Sequence, residues 1–398
     1  MPYNPATADN YLGIPYMDHA ETDLNPRYER GTLQEVYEMI GKDIEAGIPL
    51  IDDTAYSVPK YHFNYKAACC FASRYYLFMQ DWDNAIKYAT MALTSNPSSL
   101  LRDYSAIAAL PNGTSRHQEY VNSASTANFL LQAATSNSGL LFDWYSTAGR
   151  YSHGKLQGIY ETVQPKKGGP WGSSVTFKAP HAVLASSGKY VLPRTWRVFQ
   201  YTDPVAGTGF NKAISVLFTS EEALLNRAEA YIMKMNEDPT ALDKALEDIN
   251  LYAANLFSAG FKSMTEASII KWATETYPDY SELYVGKTSV SSPQTLNPKK
   301  KLHAAPYNTL EEGGPQESML QALIFMRRYQ FLHEGMRWFD TRRFGITVYR
   351  YLLDEDAETV VQITDQISDE NGTPDPRRAL QLPADVIAAG LTLSLIHI

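Results

Sequence analysis

Two amphipathic helical stretches separated by only a few residues constrain the fold of this chain most. In residues 63–79, Phe63, Ala67, Phe71 and Tyr75 recur at helical spacing, and residues 82–94 form a second apolar stripe. Asp81 stands where the second helix would need an N-cap. Helices joined by so short a link pack antiparallel, and small residues between large ones let them approach closely. The pattern therefore predicts a helical pair of the kind found in tetratricopeptide units.

A second pair of the same kind is predicted far downstream. Thr219 and Glu222 form a capping-box pattern before SEEALLNRAEAYIMK, and Thr240 precedes ALDKALEDINLY. A helical solenoid repeats about every 34 residues without interruption. Here residues 95–218 separate the two pairs. The sequence therefore predicts helical pairs with a large insertion between them.

The rest of the chain alternates between segments predicted to be helical and segments predicted to be irregular. Thr32 and Glu35 form a capping box that opens another helix, and a long helical stretch ends at Gly345. Gly, Pro and Ser are frequent in 96–218 and 276–316, which predicts long loops and short strands. The fold class is therefore mostly α, with a helical scaffold over about 32–95, 219–256 and 317–345 and a large irregular, loop-rich insertion.

Composition excludes several classes of protein. With 35 Lys and Arg against 44 Asp and Glu, the formal net charge is −9, which argues against a nucleic-acid partner. No run approaches the roughly 20 apolar residues that a membrane-spanning helix needs. The only two cysteines, Cys69 and Cys70, are adjacent, so a disulfide framework is excluded. Both lie among alanines in a predicted helix, which favours core packing over catalysis.

No motif supports catalysis or metal binding. Gly286-Lys287-Thr288 resembles the end of a phosphate-binding loop, but Ser281 stands where that loop requires its first glycine. His333-Glu334 resembles part of a zinc-protease helix, but its second histidine position is Arg337. No nucleophile-elbow serine occurs. We therefore predict no catalytic residue, no metal ligand and no cofactor.

Aromatic residues in the irregular segments are the remaining candidates for function. An exposed ring offers a flat apolar face to a sugar or a peptide, whereas a buried ring only packs its loop onto the helices. For any single ring the packing role is the better prediction, but some of the group should be exposed. The candidate ligand-binding residues are Trp144, Tyr145, Trp171, Trp196 and Tyr201.

The helical stretches also resemble a known family. The stretch RRYQFLHEGMRWFDTRRFG resembles a motif of the SusD/RagB family, nutrient-binding lipoproteins of the Bacteroidetes outer membrane. Two residues, Met326 and Gln330, stand where the family often has acidic residues. The matching motif positions are Arg327, Arg328, Glu334, Gly335, Arg337, Trp338, Phe339, Asp340 and Arg343.

The resemblance implies a SusD-like α-α superhelix with four tetratricopeptide-like units, in one domain over 1–391. Family members capture oligosaccharides or peptides and deliver them to a TonB-dependent, SusC/RagA-like outer-membrane transporter, without catalysis. Trp338 is expected to be buried in the scaffold because it belongs to a motif of the fold. The family's ligand contacts share no signature, so the resemblance assigns none.

The two ends carry their own expectations. Residues 1–16 contain no signal-peptide pattern and no cysteine that could be lipidated. If the protein is a surface lipoprotein of the outer membrane, we expect the anchor to lie outside this sequence. Residues 393–398, Leu-Ser-Leu-Ile-His-Ile, match what the end of a common sequencing adapter encodes. We therefore interpret 392–398 as a non-native read-through tail.

Two alternative functions remain open at this level. A cytoplasmic tetratricopeptide adaptor would bind protein tails, but such adaptors use contiguous units to form a continuous groove. A glycoside hydrolase would need two carboxylates at a set separation in a cleft, which sequence alone cannot locate. A TonB-dependent transporter gene immediately upstream would favour the nutrient-binding protein over both.

Overall fold

The computed structural model shows that the predicted helical class is correct. It describes residues 3–20, 22, 29–139, 169–179, 183–184, 190–191, 194, 196–276, 300–354, 360–369 and 374–378. Contacts divide the chain into two compact units. The first, here the helical unit, comprises Tyr3–His153 and Ser174–Met264, and the second, here the C-terminal unit, comprises Met1–Pro2, Gly154–Ser173 and Thr265–Ile398. The assignment of 1–391 to one family domain stays a prediction.

The helical unit contains both predicted helical pairs. Its helices are α1 (Leu33–Gly47), α2 (Tyr65–Phe78), α3 (Trp82–Leu93), α4 (Tyr104–Ala109), α5 (Gly113–Tyr120), α6 (Ser220–Lys234) and α7 (Ala241–Leu256). The Thr32–Glu35 capping box is present in both directions, and α1 ends at Gly47. Asp81 caps α3 by accepting a hydrogen bond from the Asn84 amide. These local signals placed the helix ends correctly.

The contact between α2 and α3 is tight and is tied to α1. Ala68, Ala72 and Ala89 are completely or almost completely buried, as expected for helices at close approach. The rings of Tyr76 and Tyr88 stack across the pair, with 5.4 Å between their centroids. Both hydroxyls donate to Glu45 Oε1 of α1, at 2.6 and 2.7 Å. These two hydrogen bonds, Tyr76 first, lower the pKa of Glu45, so α1 is joined to the pair by a carboxylate that stays ionised.

The two helical pairs pack side by side although they are distant in sequence. α6 lies against α2 and α3. Arg74 of α2 donates to both carboxylate oxygens of Glu222 at 2.6 and 2.7 Å. Arg227 of α6 forms a bidentate pair with Asp248 of α7 and also donates to Thr90 of α3. The four helices therefore form one bundle.

Two capping details differ from the sequence prediction. Thr219 accepts from the Glu222 amide and caps α6, but the Thr219 amide does not donate to the Glu222 carboxylate, so no capping box forms. That carboxylate instead pairs with Arg74. Thr240 precedes α7 without a side-chain cap bond, because its hydroxyl donates to Asp238. In both cases the side chain that was predicted to cap the helix interacts instead with a charged residue outside that helix, Arg74 for Glu222 and Asp238 for Thr240.

Short antiparallel strands complete the helical unit. They are β1 (Asn128–Thr135), β2 (Thr176–Phe177), β3 (Val183–Leu184), β4 (Tyr190–Val191), β5 (Val198–Asp203), β6 (Thr208–Thr219) and β7 (Phe257–Ala259). β6 is the central strand of a three-stranded sheet in the order β1-β6-β5. β2 pairs with β7 and β3 with β4. The three-stranded sheet lies in the segment predicted to be irregular.

The C-terminal unit corrects the prediction of one long helix ending at Gly345. It contains α8 (Glu266–Lys271), α9 (Pro315–Gln330), α10 (Met336–Arg343) and the hairpin β8 (Val348–Leu353) with β9 (Val360–Ile367). The predicted helix is broken between α9 and α10. Gly335 has a φ of +82°, in the left-handed region that other residues rarely adopt. A right-handed helix cannot continue through this conformation, so the chain turns there.

Replacing Ala72 with tryptophan should destabilise the bundle. Ala72 is completely buried, and the neighbouring helices leave no room for an indole. Overpacking of this kind costs about 1–3 kcal/mol or more. Urea unfolding followed by far-UV circular dichroism should show this loss. Lys87→Trp, at an exposed position of α3, is the control, and equal stability of the two variants would contradict the assigned packing.

Candidate ligand-binding site

The three-stranded sheet is held on the helical bundle at one end. Thr219 is both the last residue of β6 and the N-cap of α6, so the central strand continues directly into the bundle. Asn64, the N-cap of α2, accepts from the Ala67 amide and donates to the Phe129 carbonyl of β1 at 2.6 Å. Two strands are therefore fixed at helix N-termini. A rigid scaffold that presents a less regular segment is a common arrangement for binding sites.

Two aromatic rings lie on the same face of β5, which is an edge strand of this sheet. Phe199 and Tyr201 are two residues apart on β5, so their side chains point to the same side. Their ring centroids are 4.9 Å apart at an interplanar angle of 75°. Tyr201 is 58% exposed and Phe199 is 37% exposed. Phe199 therefore supports Tyr201 edge to face, and the face of Tyr201 is the larger surface open to a ligand.

Close backbone packing brings the Phe199 ring onto the neighbouring strand. Tyr201 is paired with Gly209 of β6. A Cβ atom at position 209 would lie 2.9 Å from Cε1 of Phe199 and 2.1 Å from the Gln200 carbonyl oxygen. Only glycine leaves enough space at this position. The Phe199 ring therefore packs directly against the backbone of β6 at Gly209.

Polar side chains lie beside the ring pair. Asn211 is paired with Phe199 in the strand register and donates through its side chain to Asn137 Oδ1 at 3.1 Å. Farther along the same face, Gln132 and Ser215 are paired and both are exposed. Amides offer two donors and an acceptor, and a hydroxyl offers both roles. The face therefore combines a ring surface with groups that match sugar hydroxyls or a peptide backbone.

The other predicted aromatic candidates are placed differently. Trp144 and Tyr145 lie outside the described residues. Trp196 precedes β5 and is partly buried, with its ring against Gly113 at the start of α5. Trp171 belongs to the C-terminal unit and is only 5% exposed, packed edge to face against Phe325 and Tyr329 of α9. In this structure the ring of Trp171 packs onto its scaffold, and Tyr201 is the described candidate with a large open face.

Sequence reasoning missed Phe199, Asn137 and Asn211. The alternation of Phe199 with Tyr201 is a strand signal, but the prediction of long loops and short strands over 96–218 did not place any strand at a given residue. The two asparagines come together only through the pairing of β1 with β6, which no local pattern shows. Trp338 was expected to be buried, whereas the structure has it only partly buried, lining a cavity of the C-terminal unit. That expectation was wrong.

The described residues show no feature that calls for a metal or a reactive thiol. No group of three or more His, Cys, Asp or Glu with metal-binding geometry occurs among them. Cys69 and Cys70 are completely buried free thiols, which confirms their role in the core. Burial raises the pKa of Cys69 to about 11 and that of Cys70 well above its usual range, so neither is a thiolate near pH 7. No helix in the described part of the chain has the length and hydropathy to cross a bilayer.

Comparisons with known proteins agree with the helical architecture. A SusD-like family model described as "Starch-binding associating with outer membrane" matches residues 6–77. The crystal structure of a SusD superfamily protein from Bacteroides thetaiotaomicron superposes with a TM-score of 0.55 at 15% identity, covering 98% of this chain and 71% of the other. The chain is therefore similar to SusD-like proteins over residues 6–77 and in its overall fold class. Both findings agree with the SusD/RagB resemblance of the motif around Arg327 and Trp338.

Another solved relative of this SusD-like protein carries the description of a carbohydrate-binding protein. It comes from Bacteroides vulgatus, has 16% identity and a TM-score of 0.49, and the match covers 95% of this chain and 69% of the other. No curated protein matches the sequence. At such identities the structural likeness establishes the fold, and the ligand has to be argued from the side chains.

Proposed function

We propose that this SusD-like protein captures oligosaccharides at the surface of the outer membrane. The observation that carries the proposal is the exposed ring pair of Phe199 and Tyr201 on a sheet anchored to the bundle. The family model matched at residues 6–77 describes starch-binding proteins associated with the outer membrane, which supports this choice. Peptide capture, the other ligand class expected from the family, is the competing outcome of the binding experiment.

We further propose that the captured glycan is delivered to a TonB-dependent, SusC/RagA-like transporter, and that the protein is a lipoprotein without catalytic activity. The support for the transporter is the family alone. Co-purification of the tagged protein from its host membrane, followed by mass spectrometry, tests the partner. Long incubation of the protein with its glycan should give no shorter product, and release of product would favour a glycoside hydrolase.

Loss of the Tyr201 ring should weaken glycan binding without unfolding the protein. Removing one stacking platform should cost about 1–3 kcal/mol of binding free energy, by analogy with aromatic stacking on nucleic-acid bases. This corresponds to a roughly tenfold to hundredfold larger Kd. Titration calorimetry of Tyr201→Ala against the best hit of a combined glycan and peptide array measures it. Phe199→Ala should show a smaller loss in the same direction, because Phe199 supports the ring.

Phe210→Ala is the matched control for this experiment. Phe210 is paired with Gln200, so it lies on the opposite face of the same hairpin, and it is 54% exposed. Its removal should leave the affinity for the glycan unchanged. If Phe210→Ala weakens binding as much as Tyr201→Ala, the ligand does not lie on the assigned face. If only peptides bind, the glycan part of the proposal is wrong.

A further inference from the structure

A second feature with the character of a binding site lies within the C-terminal unit, whereas Phe199 and Tyr201 belong to the helical unit. It is a cavity of about 290 Å³ beside α10 and the hairpin of β8 and β9. Its volume lies just below the roughly 300–1,000 Å³ typical of small-molecule pockets, which suits a ligand as small as one sugar residue. The described lining residues are Lys300, Arg328, Arg337, Trp338, Thr341, Ile346, Thr347, Val348, Tyr349, Ile367 and Arg378.

The lining is strongly biased in charge. Four of its residues are cationic, namely Lys300, Arg328, Arg337 and Arg378, and no carboxylate occurs among its described members, although Arg378 is paired with Asp369 outside the lining. The whole chain carries a net charge of −9, so this concentration of positive charge runs against the composition. In a concave site with low-dielectric walls such charges focus the field and attract anions.

Two of the cations are held in place before any ligand arrives. Arg378 is 3% exposed, and its guanidinium donates to Asp369 Oδ1 at 2.5 Å and to the carbonyls of Thr341 and Ile346 at 3.1 and 2.6 Å. Arg328 is buried with its guanidinium 4.9 Å from the Phe325 ring centroid. Such fixed guanidinium groups need little reorganisation to bind a planar or tetrahedral anion.

The remaining lining suits a ring rather than a bare ion. Trp338 and Tyr349 contribute aromatic surface, and Ile346, Val348 and Ile367 contribute apolar surface. The indole Nε1 of Trp338 is buried and has no hydrogen-bond partner in the described structure. An unsatisfied buried donor is unfavourable, and an acceptor oxygen on a ligand would satisfy it. Rings and donors beside cations are the groups that a charged sugar requires.

We propose that this cavity is a second binding site, selective for one acidic sugar residue that carries a carboxylate or a sulfate ester. The anionic group lies among the arginines and Lys300, and the sugar ring packs against Trp338. The sugar part of this inference rests on the proposed glycan-binding function, whereas the anionic part rests on the lining alone. The protein would thereby recognise acidic glycans through residues other than those of the Tyr201 face.

Titration calorimetry with four probes tests the chemistry of the site. The probes are D-glucuronate, D-glucose 6-sulfate, D-glucose and inorganic sulfate. We expect measurable binding of one or both acidic sugars, at least tenfold weaker binding of D-glucose, and an affinity that falls as NaCl is raised. Equal affinity for glucose and both acidic sugars would overturn the proposal. Inorganic sulfate binding as tightly as glucose 6-sulfate would overturn its saccharide part.

Substitutions locate the site. Lys300→Gln and Arg337→Gln should each weaken the acidic sugar at least tenfold. Lys301→Gln is the matched control, because Lys301 is the exposed neighbour of Lys300 and is not among the lining residues. An equal loss in Lys301→Gln would contradict the assigned cavity. If Arg337→Gln lowers the melting temperature, Trp338→Phe, which keeps a ring and removes only the indole donor, provides the second measurement and should also weaken binding.

The two sites can be separated in the same experiment. Tyr201→Ala should leave the affinity for the acidic monosaccharide unchanged, and Arg337→Gln should leave binding of a neutral oligosaccharide unchanged. Binding of acidic sugars without any neutral glycan would contradict the proposed function of the aromatic face but support the cavity. Binding of neutral glycans with no response to the acidic probes would contradict only the cavity.

Discussion

Replacing Asp340 with alanine is expected to lower the free energy of unfolding by about 3–5 kcal/mol. Asp340 is 1% exposed, and Arg327 Nε reaches both of its carboxylate oxygens at 3.0–3.1 Å. Arg343 Nη2 lies 3.4 Å from the same carboxylate. Without Asp340 two buried guanidinium groups would remain close together with like charge. Urea unfolding of the variant and the parent protein at pH 7 measures the loss.

The same carboxylate should make stability depend on pH in the acid range. Burial by itself raises the pKa of Asp340, but the charges of Arg327 and Arg343 outweigh it and lower the pKa below the usual 3.8. The ionised carboxylate therefore stabilises the fold above about pH 3.8, and this contribution is lost as the pH falls further. The difference in melting temperature between the parent and Asp340→Asn should narrow as the pH falls through that range.

Asp365→Ala is the matched control for Asp340→Ala. Asp365 also pairs with an arginine, at 3.1 Å from Arg377, but both side chains are about half exposed. Exposed pairs of this kind contribute about 0–1 kcal/mol. If Asp365→Ala lowered the free energy of unfolding as much as Asp340→Ala, burial of the ion pair would not be what makes the loss of Asp340 so destabilising.

Arg102→Ala should be the other strongly destabilising change, at about 3–5 kcal/mol. The Arg102 side chain donates to the Tyr120 carbonyl at 2.8 Å and to Asn128 Oδ1 at 2.7 Å, and its guanidinium lies 3.9 Å from the Tyr120 ring centroid. Its Nε lies 4.0 Å from the fully buried Glu221 of α6. Removing the guanidinium leaves that carboxylate buried without this cation and detaches the start of β1. Denaturant unfolding measures the effect.

A double-mutant cycle on Arg102 and Glu221 separates the contribution of their charges to stability from the contribution of side-chain packing. Arg102→Met keeps an extended apolar side chain, and Glu221→Gln removes the negative charge. If the pair acts as buried charges, the double variant should be less destabilised than the sum of the single variants. Strict additivity would contradict the coupling. Lys244→Ala, which breaks an exposed pair with Asp238 at 3.9 Å, should cost less than about 1 kcal/mol.

The candidate site shows where sequence reasoning fails. Tyr201 and Trp171 are both candidates from the sequence, yet Tyr201 is 58% exposed and Trp171 only 5%. Exposure depends on what packs above a ring, and for Trp171 this is α9, more than a hundred residues farther along the chain. Phe199 was missed because its role depends on sharing a sheet face with Tyr201. The motif around Trp338 indicated the resemblance to SusD-like proteins but not the partial exposure of that ring.

The sequence by itself determined the class of the fold and most helix ends, and it indicated the resemblance to SusD-like proteins. Caps such as Thr32 and Asp81 and the stop at Gly47 act within one helical turn, so a local pattern contains their whole physical cause. Only the tertiary structure decided that α6 packs on α2 and α3 and that Glu222 pairs with Arg74. Only the tertiary structure likewise brought Phe199 and Tyr201 onto one sheet face and gathered the cationic residues around the cavity of the C-terminal unit. Their partners are distant in sequence, and their energies depend on burial and distance, which exist only after the chain has folded.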